Sequence, residues 1–314
     1  MGLEGVNISV LGGDDRELVL VPELVKQGAK VRIIGYPPIP ELAGATLCDT
    51  LEEALLEAQA VILPMPGTDA SGVIRAVYSK KPLLLTEKII RQLLPGTPVI
   101  IGVARPFLQE WAEKYKLRLL EIAEMDHIAI LNSIPSAEGA IQIAMQELPI
   151  TIHGSQSFIL GFGRVGQTLA RMLKALGAHT SVCARQPAQL ARILEMGCQP
   201  VPFDELEEKV EKAEIIFNTV PSLVLGKKVL ERCNPEVLIV DLASQPGGTD
   251  FQAAEKLGIK AILAPGLPGK VAPKTAGRIL AQVVPDLIIQ ELEKVPRTAA
   301  VEVQEQRMLR SRPD

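Results

Sequence analysis

Aromatic side chains are scarce in this chain of 314 residues: one Trp, three Tyr and six Phe make up 3% of it. So few rings offer little stacking surface for bases. The formal net charge of −4 supplies no basic stripe to neutralise nucleic-acid phosphates or an anionic membrane. Neither a nucleic-acid nor a membrane partner is expected. Long hydrophobic runs are missing as well, since stretches such as Val99 to Ala104 fall far short of the roughly 18 residues that a membrane span needs. The chain enters its first strand by Val6 with no basic segment leading into an apolar one, so no signal peptide is expected and the cytoplasm is the expected compartment. Four cysteines, Cys48, Cys183, Cys198 and Cys233, are scattered without a C-x-x-C pair or a histidine at ligand spacing. They read as buried small apolar residues, and no metal site is expected.

What remains is a chain with 47% hydrophobic and 22% charged residues, enough to bury the cores of two ordinary domains. Its most informative stretch is Ser157 to Gly166, SFILGFGRVG, where a short apolar strand runs into Gly161-Phe162-Gly163-Arg164-Val165-Gly166. The segment that follows carries Leu169, Met172, Leu173 and Leu176 at helical spacing before Gly177. A G-x-G-x-x-G between strand and helix is a dinucleotide-binding turn. Gly161 allows the tight turn, Gly163 lets a pyrophosphate approach the backbone, and Gly166 lets helix and strand pack closely. The next strand, Thr180 to Ala184, ends at Arg185, with no acidic residue between Gly177 and Glu195. An acidic residue there would hold the ribose hydroxyls of NAD, whereas a guanidinium pairs with a 2′-phosphate, so the expected cofactor is NADP rather than NAD.

Strand and helix patterns alternate along the whole chain, which predicts an α/β protein of two Rossmann-like, doubly wound parallel-sheet domains. The first, on the substrate side, is expected over 1–132. An interdomain helix follows over 133–149, capped by Ser133 with Pro135 in its first turn. The dinucleotide-binding domain is expected over 150–269. A C-terminal helix over 270–295 is expected to cross back to the first domain, ahead of a frayed polar tail over 296–314. The first domain has a glycine turn of its own, Gly12-Gly13, but Asp14 and Asp15 at the helix entrance would cap N–H groups and repel a phosphate.

Three strand ends on the cofactor side carry the remaining candidates: Thr219, Val220 and Pro221; Leu242 and Ala243; and Pro265 and Gly266. His153 lies just before the cofactor domain and is a candidate catalytic residue. Cations on glycine-punctuated turns, Arg16 and Lys274, with Arg105 at a helix start, are candidate carboxylate anchors, and Lys274 is a second catalytic candidate. D-2-hydroxyacid dehydrogenases share the expected architecture but use a late His–Glu pair, and no histidine follows His179 here.

The strings NSIPSAEG (132–139), TIHGSQ (151–156), LGFGRVG, NTVPS, DLASQPGGTDF (241–251) and APGLPGKVAPKTAG (264–277) carry a specific likeness. On them, the chain resembles the A subunits of dipicolinate synthase from spore-forming bacteria, from the first strand to about residue 290. The resemblance implies a nicotinamide-dependent oxidoreductase that works with a flavodoxin-like B subunit. The reaction implied is oxidation of dihydrodipicolinate to pyridine-2,6-dicarboxylate in the mother-cell cytoplasm during sporulation. It implies no particular catalytic residue. A homo-oligomer is expected. Two other readings stand beside this one: an NADP-dependent dehydrogenase of another small carboxylic acid, and a non-catalytic NADP-binding subunit.

Overall fold

A computed structural model describes residues 2–294, so the tail expected to be frayed lies outside the described residues. Two compact units divide the chain, Met1–Ala129 with the segment from Pro273 onward, and Ile130–Ala272. The first contains strands β1 (Asn7–Leu11), β2 (Lys30–Ile34), β3 (Thr46–Cys48), β4 (Ala60–Ile62), β7 (Pro98–Ile101) and β8 (Arg118–Glu121) in one parallel sheet ordered β3-β2-β1-β4-β7-β8. Between β4 and β7 lies a small antiparallel hairpin, β5 (Val73–Ile74) and β6 (Leu83–Leu84). The second unit repeats the plan with β9 (Gln156–Leu160), β10 (His179–Ala184), β11 (Gln199–Pro202), β12 (Ile215–Asn218), β13 (Leu238–Asp241) and β14 (Lys260–Leu263), ordered β11-β10-β9-β12-β13-β14. Central strands such as PVII, IIFN and LIVD are buried along their whole length. Helices on both faces require that, because a two-sided sheet leaves no strand face for water. Each sheet reverses its direction of winding between its first and fourth strands in sequence, which opens a crevice at the carboxyl ends of those strands.

β3, β11 and the hairpin are short and lie on sheet edges or in a connection, where no long apolar run marks them in the sequence. The sequence reading misplaced the start of the long central helix, which runs from Asp126 to Glu147 with Pro135 in its interior. Ser133 is not its cap. That side chain is almost fully buried; its Oγ donates to the carbonyl of Ile130 at 2.6 Å and lies 2.6 Å from Thr168 Oγ1. Ser136 Oγ likewise donates to the carbonyl of Asn132. Hydroxyls thus bond back to carbonyls around a proline that cannot donate, and the helix continues through it. The unit boundary falls inside this helix, between Ala129 and Ile130.

Within the first unit, the helix Pro273–Glu293 packs on the helix Glu17–Lys26 so closely that a Cβ on Gly277 would come within 2.8 Å of the Arg16 carbonyl. Arg118 reaches Glu291 of the same terminal helix at 3.3 Å.

The turn after β1 holds a buried polar cluster. Arg16 is 7% exposed, and its guanidinium forks onto Asp14 at 2.8 and 2.7 Å. Burial works to raise the Asp14 carboxyl, but the hydrogen bonds and charge of Arg16 outweigh it and hold the group below its usual range. Glu17 is 1% exposed, accepts the Asp14 N–H at 2.7 Å and lies 3.4 Å from the Tyr36 hydroxyl. Burial pushes its carboxyl from 4.5 up to about 7. The folded state therefore retains a proton that the unfolded chain releases near pH 4.5, so this group's contribution to stability is full below pH 4.5 and is lost as pH rises to about 7. The shift corresponds to about 3 kcal/mol. Glu17→Gln is expected to match the parent's melting temperature at pH 4.5 and to exceed it by several degrees at pH 8. Melting curves that keep the same separation at every pH would show that Glu17 does not carry this dependence.

Candidate functional site: a dinucleotide turn and its rim

Each of the three glycines after β9 answers a different steric demand. Gly161 has φ +98°, and a Cβ there would meet Thr219 Oγ1 at 2.6 Å and Val220 Cγ2 at 2.9 Å. A side chain at Gly166 would lie 2.2 Å from the Gly161 carbonyl oxygen, so only glycine lets the helix Arg164–Ala175 begin this close to the strand. Gly163 is the opposite case, with ordinary φ −84° and no atom within 4 Å of a Cβ position. The space beside it is open, and no side chain caps the helix that starts there. N–H groups at the positive end of a helix without a side-chain cap, beside open space, fit the pyrophosphate of a dinucleotide. Phe162 turns its ring into the core, Val165 packs partly against it, and Arg164 is half-buried; at Phe162 only the backbone is left to face a ligand.

Arg185 stands immediately after β10, exposed, with its guanidinium 5.6 Å from the Phe203 ring centre. That ring, from the segment after β11, supports the guanidinium face while leaving its edge for an anion. Arg192, on the helix Pro187–Glu195 that follows, is paired with Glu195 at 2.9 Å.

The rim at the ends of β12 and β13 is organised by two residues whose part the sequence reading did not identify. Asn218 and Asp241 are register partners at the carboxyl ends of these strands, and both are fully buried. Asn218 Nδ2 donates to Asp241 Oδ1 at 2.9 Å and to the Val220 carbonyl, and its Oδ1 accepts the Val220 N–H. Asp241 also accepts the N–H groups of Ala243 and Gly248 and the Thr249 hydroxyl, at 2.7 to 3.0 Å. Gly248 is confined there, since a Cβ would meet Asn218 Nδ2, the Val220 carbonyl and the Ser222 carbonyl within 2.6 Å. Thr219 closes the rim on the other side, giving both its N–H and its Oγ1 to the Leu160 carbonyl. Val220, Pro221, Leu242 and Ala243 are fixed by this network at the edge of the crevice, and Pro265 with Gly266 (φ +69°) follows β14 on the same rim. The available signal was a polar residue ending each of two otherwise apolar strands, IIFN and LIVD.

Other expected site residues fall elsewhere. His153 precedes β9, exposed and against Gly177 ahead of β10. It therefore sits at the amino-terminal edge of the sheet, about 16 Å from the glycine turn at five residues of strand rise, and does not face that turn. Arg16 is committed to Asp14 and is not an open anchor. Lys274 is exposed on the first turn of the helix Pro273–Glu293 and belongs to the same unit as Arg16. Arg105 is exposed at the start of the helix Pro106–Lys114, and its Nε donates to the Thr68 carbonyl at 3.2 Å.

The glycine turn of the first unit is filled by the protein itself. Gly13 N–H donates to the Arg75 carbonyl at 2.8 Å, Val77 N–H to the Gly13 carbonyl, and a Cβ on Gly12 would lie 2.7 Å from that same Arg75 oxygen. The segment Ile74–Ala76 takes the place a pyrophosphate would need. Asp15 does not cap the helix; it accepts a hydrogen bond from the Tyr78 hydroxyl. Among the described residues, no cluster of histidine, cysteine and carboxylate groups could hold a metal, and no helix is long and apolar enough to cross a membrane.

Gly163→Val is expected to abolish dinucleotide binding while the melting temperature without ligand changes little, because the protein leaves room for the side chain. Gly166→Val is expected to destabilise the apo-protein itself, through contact with the Gly161 carbonyl. Equal loss of apo-stability in the two variants, measured by thermal melting beside a cofactor titration, would mean that Gly163 serves the fold rather than the ligand.

Two family models divide the chain as the two units do in outline. The N-terminal domain of the dipicolinate synthase A subunit matches residues 7–123, and the NAD-binding domain of D-isomer-specific 2-hydroxyacid dehydrogenases matches residues 134–245. The chain is 44% identical over 289 residues to the dipicolinate synthase A subunit of Bacillus subtilis (strain 168), a span covering 92% of this chain and 97% of that protein. The crystal structure of the dipicolinate synthase A subunit from Bacillus halodurans matches with a TM-score of 0.89 at 40% identity, over 91% of this chain and 98% of that one. A transhydrogenase from Sinorhizobium meliloti, at 16% identity and TM-score 0.65 over 91% and 95% of the two chains, shares the fold. The second unit is thus a dehydrogenase-type dinucleotide-binding domain, and the chain belongs to the family of dipicolinate synthase A subunits.

Proposed function

We propose that this chain is the NADP-dependent, hydride-transferring component that oxidises dihydrodipicolinate to dipicolinate, together with a flavodoxin-like B subunit, in the cytoplasm of a sporulating mother cell. Family membership supports the reaction class. The observation that carries the cofactor preference is Arg185, exposed at the end of β10 in a stretch without any carboxylate from Gly177 to Glu195.

In this reading the pyrophosphate is held by N–H groups at the start of the helix Arg164–Ala175, beside Gly163. Arg185 takes the 2′-phosphate, and Thr219, Val220, Pro221, Leu242 and Ala243 border the nicotinamide end. When bound, NADP⁺ supplies a hydride acceptor. The substrate loses one hydride and one proton, and the products are the aromatic dicarboxylate, NADPH and H⁺. Aromatisation drives the step, so a modest base suffices. His153, at the far edge of the sheet, is not that base.

The deciding experiment supplies dihydrodipicolinate and NADP⁺ to the purified protein, with and without the B subunit, and follows nicotinamide reduction. Reduction that requires the chain supports the reading. Tight NADP binding without hydride transfer in either arm would make this protein a non-catalytic, cofactor-binding component.

Arg185→Ala is expected to weaken NADP binding by roughly 10- to 100-fold, the loss of one charge-assisted contact of about 1.5 to 3 kcal/mol. NAD binding is expected to stay within twofold. Calorimetric titration showing the same loss for both cofactors, or for neither, removes Arg185 from the ribose.

A further inference from the structure

The first unit contains an open cavity of about 680 Å³ on the carboxyl-terminal side of its sheet. Its walls are the segment after β4, the β5–β6 hairpin and the start of the helix after β7. Four cations line it, Arg75, Lys80, Lys81 and Arg105, against a single carboxylate, Asp69. That carboxylate is already engaged, since its Oδ1 accepts the N–H groups of Ser71 and Val73 and the Ser71 hydroxyl. Among the described residues, Arg75, Lys80 and Lys81 form no salt bridge, and Arg105 donates only through Nε, to the Thr68 carbonyl, which leaves the outer edge of its fork open. Thr68 is 4% exposed, and its Oγ1 has no partner.

A cluster of like charges is unfavourable unless something compensates it, and in a chain of net charge −4 its concentration in one concave site marks the site for anions. The main chain at Arg75 is fixed from both sides: its N–H donates to the Gly67 carbonyl at 3.1 Å and its carbonyl accepts the Gly13 N–H at 2.8 Å. An exposed guanidinium carried on a fixed main chain, with a second one held by the Thr68 carbonyl, suits carboxylates, which Arg binds through paired N–H donors. The volume lies within the usual range for small-molecule sites.

We propose that this cavity binds the planar dicarboxylate, with Arg75 and Arg105 each taking a carboxylate, Lys80 and Lys81 supplying the attracting field, and Thr68 Oγ1 donating to a carboxylate oxygen. The identity of the ligand rests on the proposed function; the anion site itself rests on the cavity. Neither Arg16 nor Lys274 lines it.

The test is calorimetric titration of the full chain with dipicolinate, with picolinate as a one-carboxylate comparator and inorganic phosphate as an unrelated anion. Arg75→Gln, Arg105→Gln and Lys274→Ala are compared with the parent, and NADP⁺ binding and melting temperature report on folding. The expected result is dipicolinate binding at least tenfold tighter than either comparator, weakened roughly 10- to 100-fold in each arginine variant and unchanged in Lys274→Ala. NADP⁺ affinity is expected to hold throughout. Normal dipicolinate affinity in both arginine variants, or a loss confined to Lys274→Ala, overturns the assignment even if the chain oxidises dihydrodipicolinate, in which case the function stands without this cavity. Phosphate binding that depends on the two arginines, with no preference for dipicolinate, overturns the dicarboxylate and leaves a general anion site.

Discussion

The rim of the dinucleotide domain depends on one buried carboxylate. Asp241 has no exposure to solvent, and four donors converge on it: Asn218 Nδ2, the N–H groups of Ala243 and Gly248, and the Thr249 hydroxyl. A buried group of this kind is tolerable only when its lone pairs are met, and meeting them fixes everything that supplies a donor. Three of the donors belong to the loop that leaves β13, and the fourth to the end of β12, so one side chain sets where both strands stop and how the loop returns. Gly248 is part of the same constraint, because a side chain there would displace Asn218 from its partner. The crevice edge at Val220, Leu242 and Ala243 is thereby rigid before any ligand arrives, which is the condition for orienting a reacting ring without further entropic cost.

The two units show how one topology yields two different sites. Both sheets have the same strand order and a glycine turn after the first strand, Gly12-Gly13 in one and Gly161 to Gly166 in the other, and in both the switch point opens a crevice at the carboxyl ends. In the second unit that turn faces open space at Gly163. In the first it receives the Arg75 carbonyl, and a helix start crowded with Asp14, Arg16 and Glu17 replaces an uncapped one. Filling the turn with Ile74–Ala76 also stations Arg75 at the cavity wall. The same backbone contact that excludes a dinucleotide from the first unit therefore builds the cation-lined alternative.

Much of this was readable in the sequence where a local rule decides the outcome. The strand Gln156–Leu160, the strand His179–Ala184 and the helix Pro273–Glu293 fall close to where apolar runs and periodicity put them. The glycine turn was legible because each position answers to a separate steric limit. The misplacements arise where long-range contacts override a local signal. Ser133 and Pro135 read as a helix start, yet hydroxyl bonds and packing against Thr168 carry the helix through the proline. His153 lies near the cofactor turn in sequence, but a strand separates the two, and a strand delivers its ends to opposite edges of a sheet. Arg16 looked like a free cation because nothing in GGDDR says that Asp14, while accepting the Arg16 N–H at the helix entrance as expected, will also take its guanidinium.

The cavity residues were the hardest to read, and the reason is geometric. Arg75, Lys80 and Lys81 share the β5–β6 connection, but Thr68 precedes β5 and Arg105 follows β7, so the set has no spacing that a motif could record. Lone Lys and Arg residues in loops are ordinarily solvated, so of these only Arg105, at a helix start, stood out singly as a candidate anchor. What distinguishes these is a property of the set: four cations without a salt bridge among the described residues, beside a hydroxyl without a partner, on a main chain fixed at both Gly13 and Gly67. A surface optimised only for stability would place carboxylates among such charges, as the chain does for Lys114 with Glu87 and for Lys260 with Glu147. With only the longer-range field of Asp14 acting on Arg75 and no ion pair among the four, the set favours a ligand that brings its own negative charge, and the fixed main chain at Arg75 reduces the entropy lost when that ligand binds.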